Sequence, residues 1–150
     1  MIAHTGLTVR DYKTAKKFYQ KALTPLGYKM TMDMPKWKAA GFKEGGHTSF
    51  WVVEKKPMMA GHIAFLAKSK SAVQRFHAAA LAAGGKDNGA PGFRSAYGPT
   101  YYAAFIHDAD GNNVEACYFG AHAPVAKKKS VKKSVKKVKK VAKKNTKKRR

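Results

Sequence analysis

Two stretches of the chain, "HTGLTVRDYKTAKKFYQKALTPLGYK" (residues 4–29) and "HIAFLAKSKSAVQRFHAAALAAGGKD" (residues 62–87), superpose without a gap. His4 falls on His62, and phenylalanine, alanine, leucine and glycine residues coincide further along. Self-similarity at a fixed offset is typical of a duplicated structural unit. The sequence therefore predicts that one fold element is used twice.

Each copy predicts a strand followed by a helix. The strands are Ile2–Val9 and Gly61–Ala67, and the helices after them carry apolar residues at helical spacing. Three strand-like runs follow the first helix: "YKMTMDM", "WKAAGFK" and "TSFWVVE". After the second helix we expect one irregular strand in a Gly/Pro-rich loop, then "YYAAFIH" and "NNVEACYF" around a turn at Asp110-Gly111. The interpretation is a duplicated βαβββ unit of the α+β class, over about residues 1–56 and 60–120.

The formal net charge of +23 is unevenly distributed. Residues 127–150 hold 15 of the 31 basic residues and no acid, whereas the preceding residues hold the other 16 together with all 8 acids. We therefore predict a globular domain over residues 1–122 and a Lys-rich tail over residues 123–150, disordered in solution because its lysines repel one another. Cys117 is the only cysteine, and no long apolar run is present, which favours a cytoplasmic protein.

The tail predicts a partner of its own. Lysines without interleaved aromatic residues contact phosphates irrespective of sequence, so nucleic acid is the favoured partner, with nucleoid or nuclear association as a consequence. Valines at helical spacing would form one apolar stripe, so an anionic membrane surface is the alternative partner. A tail that only increases solubility is the third possibility. The lysines assigned to nucleic-acid binding are Lys132, Lys133, Lys136, Lys137, Lys139 and Lys140.

A carboxylate stands in the last apolar strand. Glu115 shares one strand face with Cys117 and Phe119 by period-2 alternation, and an unpaired buried charge there would be costly. Two strand histidines at equivalent repeat positions, His4 and His62, suggest a shared divalent metal such as iron, manganese, nickel or zinc. Hydrogen-bonded histidines at strand ends and a Glu115–lysine pair are the alternative, and spacing alone leaves both open.

The segments "AHTGLTVRDYKTAKKFYQKAL", "GHIAFLA" and "DADGNNVEACYF" resemble the vicinal oxygen chelate superfamily over about residues 2–119. This superfamily includes glyoxalase I, fosfomycin- and bleomycin-resistance proteins and extradiol dioxygenases. The last segment is similar to its D-P-D-G-x-x-x-E pattern, with Ala109 in place of proline. The resemblance implies two βαβββ units forming a cupped mixed sheet, a homodimer, and a metal held by His4, His62 and Glu115.

Four further residues are candidates for substrate binding: Trp51, Arg94, Tyr101 and Phe105. The aromatic residues would line the cup, and Arg94 would hold an anionic group, whereas core packing and a solvated arginine are the ordinary alternatives. Trp51 falls where glyoxalase-like members carry a further ligand, and Phe105 falls where the dioxygenase signature has a tyrosine. The resemblance therefore singles out neither activity.

Three functions follow as hypotheses. The first is a metal-dependent lyase, isomerase or dioxygenase acting on a small oxygen-bearing substrate in the cup. The second is a non-catalytic protein that sequesters a small molecule, as drug-binding relatives do. The third is a nucleic-acid-associated protein that acts through its tail.

Overall fold

The duplicated βαβββ unit is present in the computed structural model, which describes residues 2–56 and 58–120. The α+β prediction is confirmed. The first unit consists of β1 (Thr5–Val9), α1 (Tyr12–Leu23), β2 (Lys29–Met34), β3 (Ala39–Lys43) and β4 (Phe50–Glu54). The second unit consists of β5 (His62–Leu66), α2 (Lys70–Ala82), β6 (Lys86–Phe93), β7 (Tyr101–His107) and β8 (Asn113–Phe119).

Each unit contains one four-stranded mixed sheet. Sheet A has the strand order β1-β4-β3-β2, and sheet B has the equivalent order β5-β8-β7-β6. In each sheet the first pair is parallel and the other pairs are antiparallel. The register repeats as well, because Gly6 lies opposite Trp51 in sheet A and Ala64 lies opposite Glu115 in sheet B. Trp51 is thus the positional counterpart of Glu115.

Side-chain caps and a glycine mark the ends of the helices. The side chains of Asp11 and Ser69 cap α1 and α2 by accepting hydrogen bonds from the amides of Thr14 (2.7 Å) and Ala72 (3.1 Å). Gly27 ends the first helical region with a φ of +89°, which glycine adopts without a steric penalty. Both helices pack on the sheets in a single apolar core.

Strand alternation separates the two faces of each sheet. In β5 the side chains of His62, Ala64 and Leu66 are exposed, whereas Phe65 is buried in the core. We call the face of each sheet that points away from the helices its outer face. Several strands begin later than the sequence predicts, and the difference that bears on the site is in β1, which begins at Thr5, so that His4 immediately precedes the strand.

A buried turn between β7 and β8 joins the two units. The Oδ1 atom of Asp108 accepts hydrogen bonds from the amides of Asp110 and Asn112, both at 2.9 Å. Its Oδ2 atom accepts from the hydroxyl of Tyr19 on α1 (2.7 Å) and from the side-chain amide of Asn112 (2.8 Å). Burial first, and the Asp108 carboxylate second, raise the pKa of Tyr19, so its hydroxyl remains a donor.

Asn112 extends this network to both β1 and β5. Its side-chain amide also donates to the carbonyl of Thr8 (3.2 Å), and its Oδ1 accepts from the amide of Gly61 (2.8 Å). Arg10, which follows β1, pairs with Asp110 at 2.8 Å. The D-A-D-G-N-N segment therefore fixes the end of β1 and the start of β5 relative to β8.

The predicted tail, residues 123–150, lies outside the described residues, together with Lys132, Lys133, Lys136, Lys137, Lys139 and Lys140. Its boundary at residue 122 stays a prediction. Neither helix in the described part of the chain has both the length and the apolar character needed to cross a membrane.

The Tyr19–Asp108 hydrogen bond generates a stability prediction. Tyr19→Phe removes one of four donors to a buried carboxylate, and a hydrogen bond to a charged group contributes about 1.5–3 kcal/mol. We expect the free energy of unfolding, measured by urea denaturation, to fall by about that amount. Tyr28→Phe is the matched control, because Tyr28 packs on Phe65 through its ring; it should change stability by less than about 0.5 kcal/mol. Equal effects of the two substitutions would contradict the role of Asp108.

Candidate functional site

A histidine–carboxylate pair lies on the outer face of sheet B. The Nε2 atom of His62 is 3.3 Å from Oε2 of Glu115, and the Glu115 side chain is only 4% exposed. Its other oxygen, Oε1, accepts a hydrogen bond of 2.6 Å from the hydroxyl of Tyr101. One carboxylate oxygen is therefore held by the protein, and the other faces the imidazole.

The orientation of His62 determines what this pair can bind. Its Nδ1 atom lies 3.0 Å from the carbonyl oxygen of Asn113, and a carbonyl only accepts, so Nδ1 carries the hydrogen. In the neutral imidazole, Nε2 then presents a lone pair to the carboxylate of Glu115. Two electron-rich atoms that face each other are stabilised by a cation between them, either a proton or a metal ion. The donor set of one imidazole and one carboxylate fits a divalent metal.

Tyr101 and Cys117 lie beside this pair but are not activated as nucleophiles. Burial and the hydrogen bond to Glu115 raise the pKa of Tyr101, which keeps its hydroxyl protonated and donating. Burial also raises the pKa of the Cys117 thiol. Cys117 is buried, which agrees with a packing role for this side chain.

A second group of polar side chains surrounds a hollow of about 360 Å³ on the same face. The guanidinium carbon of Arg94 lies 5.3 Å from the centre of the Phe105 ring, and Phe105 lies opposite Glu115 in the register of β7 and β8. The hollow therefore adjoins the His62–Glu115 pair. Its lining residues are Asn88, Gly89, Arg94, Tyr97, Phe105 and Asn113.

The outer face of sheet A offers a different surface. An open hollow of about 490 Å³ is lined by His4 and Trp51, among others. The indole lies against Gly41, where an added Cβ would be 2.9 Å from the ring. Glu54 points to the opposite face, as its strand parity predicts, and accepts from the amide of Tyr12 at 3.2 Å and from Lys38.

The candidate site residues predicted from the sequence thus lie on two different faces of the protein. Sheet B brings together His62 and Glu115, with Arg94, Tyr101 and Phe105 on the same face, whereas His4 and Trp51 lie on sheet A. Within residues 2–56 and 58–120, no three His, Cys, Asp or Glu side chains form a group with metal-ligand spacing.

Sequence reasoning did not single out three residues of the outer face of sheet B as site candidates. The side-chain amide of Asn88 donates to Oδ1 of Asn113 at 3.1 Å, and both line the hollow. His107 lies opposite Asn113 in register and two residues after Phe105. The strand pairing of "YYAAFIH" with "NNVEACYF" was the available signal for His107, but two register shifts in β6 hide the position of Asn88.

Comparisons with known proteins agree with this architecture. A glyoxalase/bleomycin resistance protein from Albidiferax ferrireducens T118 is similar at 28% identity and a TM-score of 0.66, over 77% of this chain and 96% of that one. The lactoylglutathione lyase from Agrobacterium tumefaciens shares the fold at 21% identity and a TM-score of 0.60, over 79% and 92% of the two chains. A search of curated protein sequences gives no significant match. The family profile of the Glyoxalase/Bleomycin resistance protein/Dioxygenase superfamily matches residues 1–116, and the chain belongs to that superfamily.

Proposed function

We propose that the protein binds a small oxygen-bearing molecule beside a divalent metal ion held by His62 and Glu115. The observation that carries the proposal is the orientation of His62, whose Nδ1–H donates to Asn113 and whose Nε2 faces the Glu115 carboxylate at 3.3 Å. Fixing one imidazole nitrogen on a backbone carbonyl is the usual way in which a protein orients a metal-binding histidine.

The residues around the ion would have different roles. Tyr101 holds Oε1 of Glu115 and leaves Oε2 directed at His62, so it positions the carboxylate. When bound, the ion supplies Lewis acidity to an oxygen of the ligand. Because Glu115 is buried and Tyr101 stays protonated, the face keeps a fixed arrangement of charge before any ligand arrives.

We further propose that His4 of a second copy completes the ligand set. His4 lies on the outer face of sheet A, whereas His62 and Glu115 lie on that of sheet B. The latter face also exposes apolar side chains that a partner would cover, since Leu66 is 66% exposed and Phe119 is 58% exposed. A two-fold dimer that sets sheet A of one copy against sheet B of the other would bring the three ligands together twice.

The metal prediction is tested by titrating chelator-treated full-length protein with Zn²⁺, Mn²⁺ and Ni²⁺ in a calorimeter. We expect His62→Ala to weaken binding by more than the roughly 10- to 100-fold that loss of an outer-shell partner costs. His77→Ala is the matched control, because His77 binds Asp87 at 2.9 Å on another part of the unit. Failure of all three ions to bind the wild-type protein would refute the proposal.

The same experiment tests the second copy. His4→Ala and His62→Ala should each abolish tight binding alone, but a heterodimer of the two variants retains one complete site. After subunit exchange in a 1:1 mixture, we expect about a quarter of the wild-type number of sites. No recovery in the mixture, with both variants folded and dimeric, would place the three ligands within one chain, and tight binding by His4→Ala alone would remove His4 from the set.

A non-catalytic binding protein is the second candidate. Trp51 stands at the position in sheet A that Glu115 occupies in sheet B, so one of the two equivalent faces presents an indole instead of a carboxylate. An indole with an adjoining open hollow is suited to planar ligands. Ligand binding that persists unchanged after metal removal would favour this candidate.

A third candidate rests on the sequence of the tail, with its 15 basic residues and no acid between residues 127 and 150. We propose nucleic-acid binding through phosphate contacts. The test replaces the six assigned lysines, Lys132, Lys133, Lys136, Lys137, Lys139 and Lys140, by glutamine. The negative slope of log affinity against log salt should become shallower by about 5, at roughly 0.9 per phosphate contact.

Glutamine at the exposed α1 lysines Lys13, Lys17 and Lys21 provides the control for loss of charge elsewhere. Equal salt slopes for the tail variant and the wild-type protein, measured by fluorescence anisotropy with duplex DNA, would remove the tail as a nucleic-acid site.

A further inference from the structure

We propose that the hollow beside the metal site is an anion subsite, and that the ligand carries a carboxylate or a similar oxyanion that Arg94 binds. This inference rests on the proposed function for the position of the metal. The anion preference itself rests only on the residues of the hollow. The ligand class is therefore a small planar acid with a second oxygen-bearing end.

The guanidinium of Arg94 is held inside the hollow. It lies over the Phe105 ring at 5.3 Å, and one of its nitrogens donates to the carbonyl of Ala90 at 2.7 Å. A cation over an aromatic face and one hydrogen bond fix the plane of the group while leaving other N–H donors for a ligand. Guanidinium groups bind carboxylates through two parallel hydrogen bonds, which needs this kind of fixed plane.

Two glycines of β6 make room for the guanidinium. An added Cβ at Gly89 would be 3.2 Å from one terminal nitrogen of Arg94, and one at Gly92 would be 3.0 Å from the other. Gly89 also has a φ of +150°, a conformation that residues with a side chain rarely adopt. Side chains at these two positions would crowd the guanidinium in the place it occupies over Phe105.

No carboxylate oxygen lies within ion-pair distance of Arg94 among the described residues. Asp87, on the same strand, pairs with His77 at 2.9 Å and accepts from the amide of Gly89 at 3.0 Å, both through Oδ1. The His77 hydrogen bond first and the Gly89 amide second lower the pKa of Asp87, and the charge of Arg94 adds a smaller effect. The hollow therefore presents a positive charge with the amide of Asn88 beside it, which is a complementary environment for an oxyanion.

The register of sheet B sets the span of the ligand. His62 is on β5, Glu115 on β8 and Phe105 on β7, and adjacent strands are about 4.8 Å apart. An acid on Arg94 is then separated from the His62–Glu115 pair by roughly two strand spacings, or about 10 Å. A single aromatic ring with oxygens at one end and a carboxylate at the other fits this interval.

The test compares an acid with its amide, because the two have the same shape and differ in charge. We expect metal-free full-length protein to bind benzoate at least about tenfold more tightly than benzamide, as charge-assisted hydrogen bonds require. In Arg94→Gln the preference should fall below about twofold, whereas Arg75→Gln, on the exposed face of α2, should retain it. The wild-type protein and both variants carry the same tail, so any binding of benzoate by the tail contributes equally to the three measurements.

Equal binding of benzoate and benzamide, or an undiminished preference in Arg94→Gln, would overturn the subsite. The metal is examined separately with 3,4-dihydroxybenzoate and 3,4-dihydroxybenzamide on Zn²⁺-loaded protein. If Zn²⁺ strengthens neither compound while benzoate remains preferred, the metal proposal fails and the anion subsite stands. If Zn²⁺ strengthens both compounds equally and the acid is not preferred, the subsite fails and the metal proposal stands.

Discussion

The buried carboxylate of Asp108 is the constraint on which both units depend. Four donors converge on it, one of them the hydroxyl of Tyr19 from the other unit. A buried charge is tolerated only when it is fully hydrogen-bonded, so the turn has essentially one acceptable conformation. Asn112 transmits that conformation to Gly61, which sets β5 beside β8 and places His62 opposite Asn113. The geometry of the His62–Glu115 pair is therefore a consequence of a turn outside it.

The two units differ in side-chain chemistry at one equivalent position of their sheets. Trp51 and Glu115 occupy the same register in their sheets, opposite Gly6 and Ala64. A Cβ at Gly6 would come within 2.9 Å of the Trp51 carbonyl oxygen, so the strand that carries Trp51 packs closely against a residue without a side chain. Sheet A thus contributes an imidazole and an indole, while sheet B contributes an imidazole, a carboxylate and a guanidinium. The duplicated fold supplies two similar faces, and the side chains give them different roles.

The sequence predicted the parts of the fold that local periodicity controls. The 58-residue offset identified both units, and strand parity placed Glu115 on one face with Cys117 and Phe119. The separation of His4 from His62 could not be predicted, because equivalence in a repeat does not specify how two sheets face each other. Asn88 was missed since the shifts in β6 break the period-2 pattern. The Asp108 network was missed because a D-x-D-G segment indicates a turn without indicating that its first carboxylate is buried.

A divalent cation between His62 and Glu115 would be seen in a crystal structure of the full-length protein soaked in Zn²⁺, with anomalous data at the zinc edge. We expect a peak about 2.0–2.2 Å from Nε2 of His62 and from a carboxylate oxygen of Glu115, with His4 of a second copy as the next ligand. A direct hydrogen bond from Nε2 to Glu115 at saturating Zn²⁺, with the zinc bound elsewhere, would contradict the metal proposal.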